Sequence, residues 1–366
     1  MQVVPTAHER PVRILLATPA TGEYGGMEAF VIALTQQLAA RCDLEVRACF
    51  KLCTGASVSD TLRAQLERSG IEFATVRRAS RDLIAQLNWA DLVHSQSSSP
   101  DICAIARLLG KKLIVTTHNH VYGQRGARVV LWKAALRLAN RRWYNSQFVR
   151  GSWERSAQTP ASEAFPAVAR VDRQFSPLAG RCGFVFVSRM VPGKGAETLL
   201  EAYRAAQLDP GRWPLRMVGE GPLLGSLRER FAGHPGVRFE GFVTGERKEE
   251  LIAQARWLVT VPNYLEAMGV TPIEARRHAV PCIVSRDGGL PEVAGSEALI
   301  CAPGDPLELA RCLVRASQMS EVDYAARAAA AYEGVARLLR PLEWYVDSYH
   351  SVLGRHGGGV AAPRAT

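Results

Sequence analysis

One pattern repeats along this chain and limits its fold more than any other feature: a short apolar run, a turn, then an amphipathic stretch. "VRILLAT" is followed by "EYGGMEAFVIALTQQLAARC"; "LEVRACF", "IEFATV", "DLVHSQ" and "KLIVTTH" then come with helical stretches between them. Strand-length apolar runs alternating with helices predict a parallel sheet wrapped by helices. After about residue 176 the pattern starts again with "GFVFVSRM", and it continues through "LRMVGEG", "VRFEGFV", "ARWLVTVP", "VPCIVS" and "EALICAPG". The fold class expected is therefore α/β, with two Rossmann-like doubly wound domains facing a deep cleft.

Proline and glycine cluster in "QFSPLAGRCG", which sets the expected boundary. The first domain is read as 1–176 and the second as 177–340. A helix at 341–354 is a candidate to pack back on the first domain, and 355–366 is read as a disordered tail. A chain of 366 residues is long enough for two such cores.

Composition narrows the setting. The eight cysteines are scattered, with no zinc-type pair, and are expected to be reduced. No apolar run approaches the ~18 residues of a membrane span, and the N-terminal run alternates like a strand, not a signal peptide. A cytoplasmic protein is expected. The net charge of +10 points to an anionic partner such as a nucleotide, a phosphorylated lipid or a membrane surface. No nucleic-acid recognition motif is present.

Open parallel sheets bind ligands beyond the carboxyl ends of their strands, so the turns there carry the candidate chemistry. Gly25 and Gly26 precede the first helix, where a backbone can approach a ligand and offer amides, or simply turn tightly. His118, Asn119 and His120 follow "LIVTT". The two histidines alternate as metal ligands do, but no third ligand is evident and no D-x-D occurs. In "VSRMVPGKGAETL", Arg189 and Lys194 place two cations at a strand end, suited to a diphosphate.

The stretch "VPNYLEAMGVTPIE" holds two carboxylates, Glu266 and Glu274, with seven residues between them. Thr271 and Pro272 read as an N-cap and first helical residue, whose dipole end would face a phosphate. Glu274 then stands three residues after Thr271, so a capping box competes with a ligand role. A helix start and two cations can hold a diphosphate, leaving one carboxylate on each side for hydroxyls.

These residues resemble the retaining GT-B glycosyltransferases of the family-4 type (glycosyl transferases group 1). The resemblance runs from about residue 12 to 353. Its most specific pieces are "VSRMVPGKGAETLLEAY", "MVGEGPL", "VRFEGFV" and "EAMGVTPIEARRHAVPCIVSRDGGLPEV". It implies that Glu266 lies near the transferred sugar and Glu274 near the ribose. Arg189 and Lys194 would neutralise the leaving diphosphate, and His118 would line the reaction centre. Gly25 and Gly26 would lie near donor phosphate and acceptor. Val243, Met268, Gly269 and Val270 join the implied donor-binding set.

The reaction implied is transfer of a sugar from a nucleotide-diphosphate sugar to an acceptor hydroxyl, with retention and without a metal. No cofactor is expected. The partners expected are a sugar nucleotide, a glycan or lipid-linked acceptor in cell-envelope polysaccharide, lipopolysaccharide or glycolipid synthesis, and no nucleic acid. The rival readings are an epimerase or phosphorylase of similar fold, and a non-catalytic sugar-nucleotide-binding subunit. The chain departs from many relatives at Asn263, Ala267 and Met268, where a serine and an aromatic residue flank the first glutamate.

Residues 124–143, "QRGARVVLWKAALRLANRRW", read as one basic amphipathic helix. Val129, Trp132 and Leu136 would form its apolar stripe beside Arg125, Arg128, Lys133, Arg137, Arg141 and Arg142. An anionic membrane surface is the expected partner, unless the stripe packs on the sheet.

Overall fold

A computed structural model describes residues 10–156, 159, 161–168 and 170–355. The predicted tail from 356 onward lies outside them. The first half of the chain runs β1 (Val12–Ala20), α1 (Gly26–Ala39), β2 (Leu44–Leu52), α2 (Asp60–Ser69), β3 (Phe73–Arg77), α3 (Arg81–Trp89), β4 (Leu92–Ser95), α4 (Pro100–Leu108), β5 (Lys112–Thr117), α5 (Ala127–Arg137), β6 (Arg141–Tyr144), α6 (Gln147–Trp153) and β7 (Ser162–Ala164). The second half runs β8 (Cys182–Val187), α7 (Ala196–Ala206), β9 (Leu215–Val218), α8 (Leu224–Phe231), β10 (Val237–Gly241), α9 (Gly245–Gln254), β11 (Ala255–Thr260), α10 (Val270–Arg277), β12 (Cys282–Ser285), α11 (Leu290–Ala294), β13 (Leu299–Cys301), α12 (Pro306–Ser317), α13 (Glu321–Ala336) and α14 (Leu342–Leu353).

Two parallel sheets result, as the alternation requires. The first has strand order β3-β2-β1-β4-β5-β6-β7, and the second β10-β9-β8-β11-β12-β13. Both reverse direction of growth beside their first strand, between β1 and β4 and between β8 and β11. Such reversals are where doubly wound sheets open for ligands.

The chain divides into two compact units. One takes residues up to Asn145, Arg150–Arg170 and the chain from Arg340; the other takes Ser146–Val149 and Val171–Leu339. The division falls at Val171, a few residues before the proline–glycine cluster. Asp172 and Arg173 explain it, since Asp172 Oδ2 accepts from Arg277 at 2.9 Å and Arg173 donates to the Tyr332 carbonyl.

The first core gathers Ile14, Leu16, Phe30, Leu34 and Trp143 with Tyr345 and Tyr349 of α14. The second gathers Phe184, Met217, Trp257, Val259 and Tyr324. Each buried side chain of this size contributes about 1.5–3 kcal/mol. His94 is enclosed in the first core, with Nδ1 2.9 Å from Tyr349 Oη and Nε2 2.7 Å from Thr116 Oγ1. Burial, with His118 nearby as a lesser cause, lowers its pKa to about 3.

The basic stretch is two elements, not one helix. α5 ends at Arg137, and Arg141 and Arg142 lie on β6 beside β5. Arg142 pairs with Glu154, and Arg141 donates to Ser351 Oγ at 3.0 Å. The predicted stripe turns inward: Leu136 is buried, and Val129 and Trp132 are half-buried. The apolar residues α5 exposes are others, Val130 at 68%, Leu131 at 52% and Leu138, which follows its end, at 39%. All eight cysteines are unpaired. Among the described residues, no helix is long and apolar enough to cross a membrane.

Candidate active site

In the second unit, the two loops singled out by sequence leave adjacent strands. Arg189 follows β8 and Glu266 follows β11, whose pairing sets Trp257 beside Phe184. Both therefore emerge at the reversal point of that sheet.

Backbone contacts hold these loops together. Gly195 has φ +88°, and a Cβ there would lie 2.0 Å from the Val261 carbonyl oxygen. Asn263 N donates to the Gly193 carbonyl at 2.9 Å. The "MVGEGPL" segment fastens the same loop, as Met190 N donates to the Glu220 carbonyl at 2.7 Å. "DGGLPEV" supports Glu266 from behind. Gly289 N donates to the Glu266 carbonyl at 2.8 Å, and a Cβ on Gly288 would stand 2.2 Å from that oxygen.

The side chains meet on this floor. Lys194 Nζ donates to Glu266 Oε2 at 2.6 Å, and Tyr264 Oη donates to the same oxygen at 2.9 Å. Lys194 also sits 5.1 Å from the centre of the Tyr264 ring. Burial works against the Lys194 charge, but Glu266 and Tyr264 outweigh it and raise its pKa. Arg189 is exposed. Tyr264 was not singled out by sequence, and its place beside Glu266 is the signal that was available.

The helix after Glu266 starts earlier than its sequence suggests. Gly269, at φ +89°, is the N-cap, so Val270 and Thr271 open α10 and Pro272 is its third residue. Thr271 is not the cap; its Oγ1 lies 3.1 Å from Thr260 Oγ1. The close approach of Leu290, 2.4 Å from a Cβ placed on Gly269, selects glycine there. With the start moved, Glu274 is the fifth helical residue and cannot form a capping box. It accepts from Lys248 Nζ at 2.6 Å instead. No side chain caps the α10 start, whose amides and dipole end favour an anion. Val243 is partly buried against the second unit's core. Met268 is 5% exposed, so its side chain packs inward.

In the first unit, the sequence candidates also lie at strand ends. Gly25 caps α1 in extended backbone and Gly26 is its first residue. The helix start is occupied by its own carboxylate: Glu28 reaches back to the Gly25 amide, and Glu28 Oε2 would be 3.2 Å from a Cβ on Gly25. Burial raises the Glu28 pKa, and those backbone amides oppose the rise.

His118 follows β5, with Nε2 3.0 Å from Gln96 Oε1. Burial lowers its pKa to about 4, so the ring is neutral near pH 7. Gln96 follows β4 and was not anticipated. Among the described residues, no group of three or more metal-ligating side chains is assembled.

Known proteins match along both units. The profile of Glycosyltransferase Family 4 matches residues 24–164, and that of Glycosyl transferases group 1 matches 181–318. The O-antigen chain mannosyltransferase B of Escherichia coli is 32% identical over 126 residues, 33% of each chain. The sulfoquinovosyl transferase of Arabidopsis thaliana is 27% identical over 116 residues, 30% of this chain and 22% of that protein. The chain thus spans a third or less of the curated relatives it matches. Among solved structures, Anabaena HepE in complex with UDP superposes with a TM-score of 0.75 at 17% identity, covering 94% of this chain and 100% of that one.

Two doubly wound parallel sheets of this order define a GT-B fold, as the resemblance implies. The chain belongs to the family-4, group 1 glycosyltransferases.

Proposed function

We propose that this chain transfers a sugar from a nucleotide-diphosphate sugar to an acceptor hydroxyl, with retention and without a metal. The observation that carries this is the Lys194–Glu266 pair beside the uncapped start of α10, with Arg189 exposed on the same loop. Arg189, Lys194 and the α10 start stabilise charge growing on the leaving diphosphate. Glu266 takes sugar hydroxyls and Glu274 the ribose, since neutral hydroxyls donate well to carboxylates. A same-face departure and attack needs no enzyme nucleophile. The O-antigen relative supports a glycan acceptor in cell-envelope synthesis, with Gly25 and Gly26 near donor phosphate and acceptor and His118 lining the reaction centre.

The test is release of nucleoside diphosphate from a panel of uridine and guanosine diphosphate sugars, with and without glycan acceptors. Acceptor-dependent release with an unchanged anomeric configuration supports the reading. Sugar interconversion without transfer would make it an epimerase, phosphate-dependent release of a sugar phosphate a phosphorylase, and binding without turnover a binding subunit.

We also propose that the protein is cytoplasmic and rests on the membrane, and a second observation supports the membrane contact. Val130, Leu131 and Leu138 are exposed beside Arg125, Arg128 and Arg137, an apolar and basic combination suited to an anionic lipid surface.

A further inference from the structure

Three neighbouring strands of the first sheet end in polar side chains. The first residue past β4 is Gln96, past β5 His118 and past β6 Asn145. Parallel pairing of β4 with β5 and of β5 with β6 sets them side by side. Gln96 Oε1 lies 3.0 Å from His118 Nε2, and Asn145 Nδ2 donates to the His118 carbonyl at 3.0 Å. The ring of Phe30 stands 6.2 Å from the imidazole at 59°. His118 is thus held at one ring nitrogen and at its carbonyl, with Phe30 tilted beside the ring.

An amide oxygen only accepts, so a bond from Nε2 to Oε1 requires the imidazole hydrogen on Nε2. Nδ1 then carries the lone pair, and no hydrogen bond from the described residues occupies it. We propose that Gln96 is a positioning residue that locks His118 in the Nε2–H tautomer, so that Nδ1 stands ready to accept from a ligand hydroxyl. The hydroxyl is that of the acceptor in the transfer reaction above, and that clause alone rests on the proposed function.

Two further observations support the lock. Burial lowers the His118 pKa to about 4 and so favours the neutral ring. A neutral amide preserves that state, whereas a carboxylate in its place would favour the imidazolium. Moreover, Gln96 Nε2, Thr117 Oγ1 and Asn145 Oδ1 are buried and lack hydrogen-bond partners, with Gln96 0%, Thr117 2% and Asn145 5% exposed. Buried polar atoms are normally satisfied. Two of them, Gln96 Nε2 and Asn145 Oδ1, belong to the side chains that hold His118, and a polar ligand there would complete them.

The test is long-range proton–nitrogen correlation on the full chain labelled with 15N-histidine, with His118→Gln identifying the resonance. Wild type should give the pure Nε2–H pattern near neutral pH. Gln96→Leu should give a mixture of tautomers. Gln96→Glu should keep Nε2–H but raise the His118 midpoint from about 4 by roughly one unit or more.

An Nδ1–H pattern in wild type would mean the Gln96 amide is turned the other way, and it overturns the proposal. So does an unchanged pattern in Gln96→Leu, or an unmoved midpoint in Gln96→Glu. Kinetically, Gln96→Leu should lower kcat about tenfold or more while KM for the sugar nucleotide stays within about twofold. A lost tautomer with unchanged kcat overturns the positioning role. If wild type transfers no sugar at all, the proposed function fails, and the spectroscopic arms still decide the lock.

Discussion

Lys194 Nζ and Glu266 Oε2 stand 2.6 Å apart, so the cation proposed for a diphosphate is already neutralised by the carboxylate proposed for a sugar. Under the proposed function, a bound donor would share or part this pair. Arg189, five residues before Lys194, is exposed.

Replacing Arg189 or Lys194 by Ala should therefore lower kcat/KM by about 2–4 kcal/mol of transition-state stabilisation. Lys194→Ala also leaves Glu266 without its cation. Steady-state kinetics with thermal melts check this; near-normal turnover in the double variant would end the assignment.

Glu274→Gln should weaken binding of nucleoside diphosphate with little change in stability. No capping box is lost, and its partner Lys248 is partly solvated. Glu266→Gln should do the opposite, keeping nucleoside-diphosphate affinity and losing transfer. Calorimetric titration of both variants separates them, and equal affinity of Glu274→Gln and wild type removes Glu274 from the ribose role.

Stability should fall below neutral pH because His94 is buried neutral. Its folded pKa is about 3, against about 6.5 when unfolded. Between those values the unfolded chain binds the extra proton. The stabilisation is complete above about pH 6.5 and is lost as pH falls toward 3, amounting to roughly 5 kcal/mol in total. His118 adds loss of the same sign down to about pH 4. Urea melts of wild type and His94→Gln at pH 7 and 5 should show a shallower pH slope in the variant; parallel slopes refute the attribution.

Arg276 and Glu297 are buried together, with Nε 2.9 Å from Oε1, close enough to pair charges though poorly aligned as a hydrogen bond. Arg276→Met strands the carboxylate and should destabilise by about 3–5 kcal/mol. Adding Glu297→Leu should recover much of that. Denaturant midpoints of the single and double variants test the pairing, and additive losses would argue against it.

Changing Arg125, Arg128 and Arg137 to Ser should weaken binding to anionic vesicles by on the order of a hundredfold, at about 1 kcal/mol per charge. Co-sedimentation at low and high salt reads this. Equal binding to neutral and anionic vesicles, or none to either, discards the membrane contact.

Much of this was legible in sequence because parallel sheets impose a simple period. The restart at "GFVFVSRM" announced the second sheet, and glycine placement announced the loops. Where the reading failed, a local pattern was ambiguous. "RRWY" is basic and aromatic, so it extended the helical pattern of α5, yet Trp143 is the buried centre of a strand. Thr271 and Pro272 look like a helix start, but the approach of Leu290 to Gly269, distant in sequence, moved it. Gln96 and Asn145 carried no linear signal at all. They become partners of His118 only through the pairing of β4, β5 and β6.

The floor beneath Lys194 and Glu266 is built from main chain at Gly195, Gly288 and Gly289, where any larger residue would strike a carbonyl. Inheritance can therefore vary this site in one direction only. A side chain added at the floor displaces main chain, whereas Asn263 is exposed and Tyr264, though exposed, is held to Glu266 by its hydroxyl. New preferences in descendants of this chain should arise at exposed positions such as Asn263, over a base that does not drift.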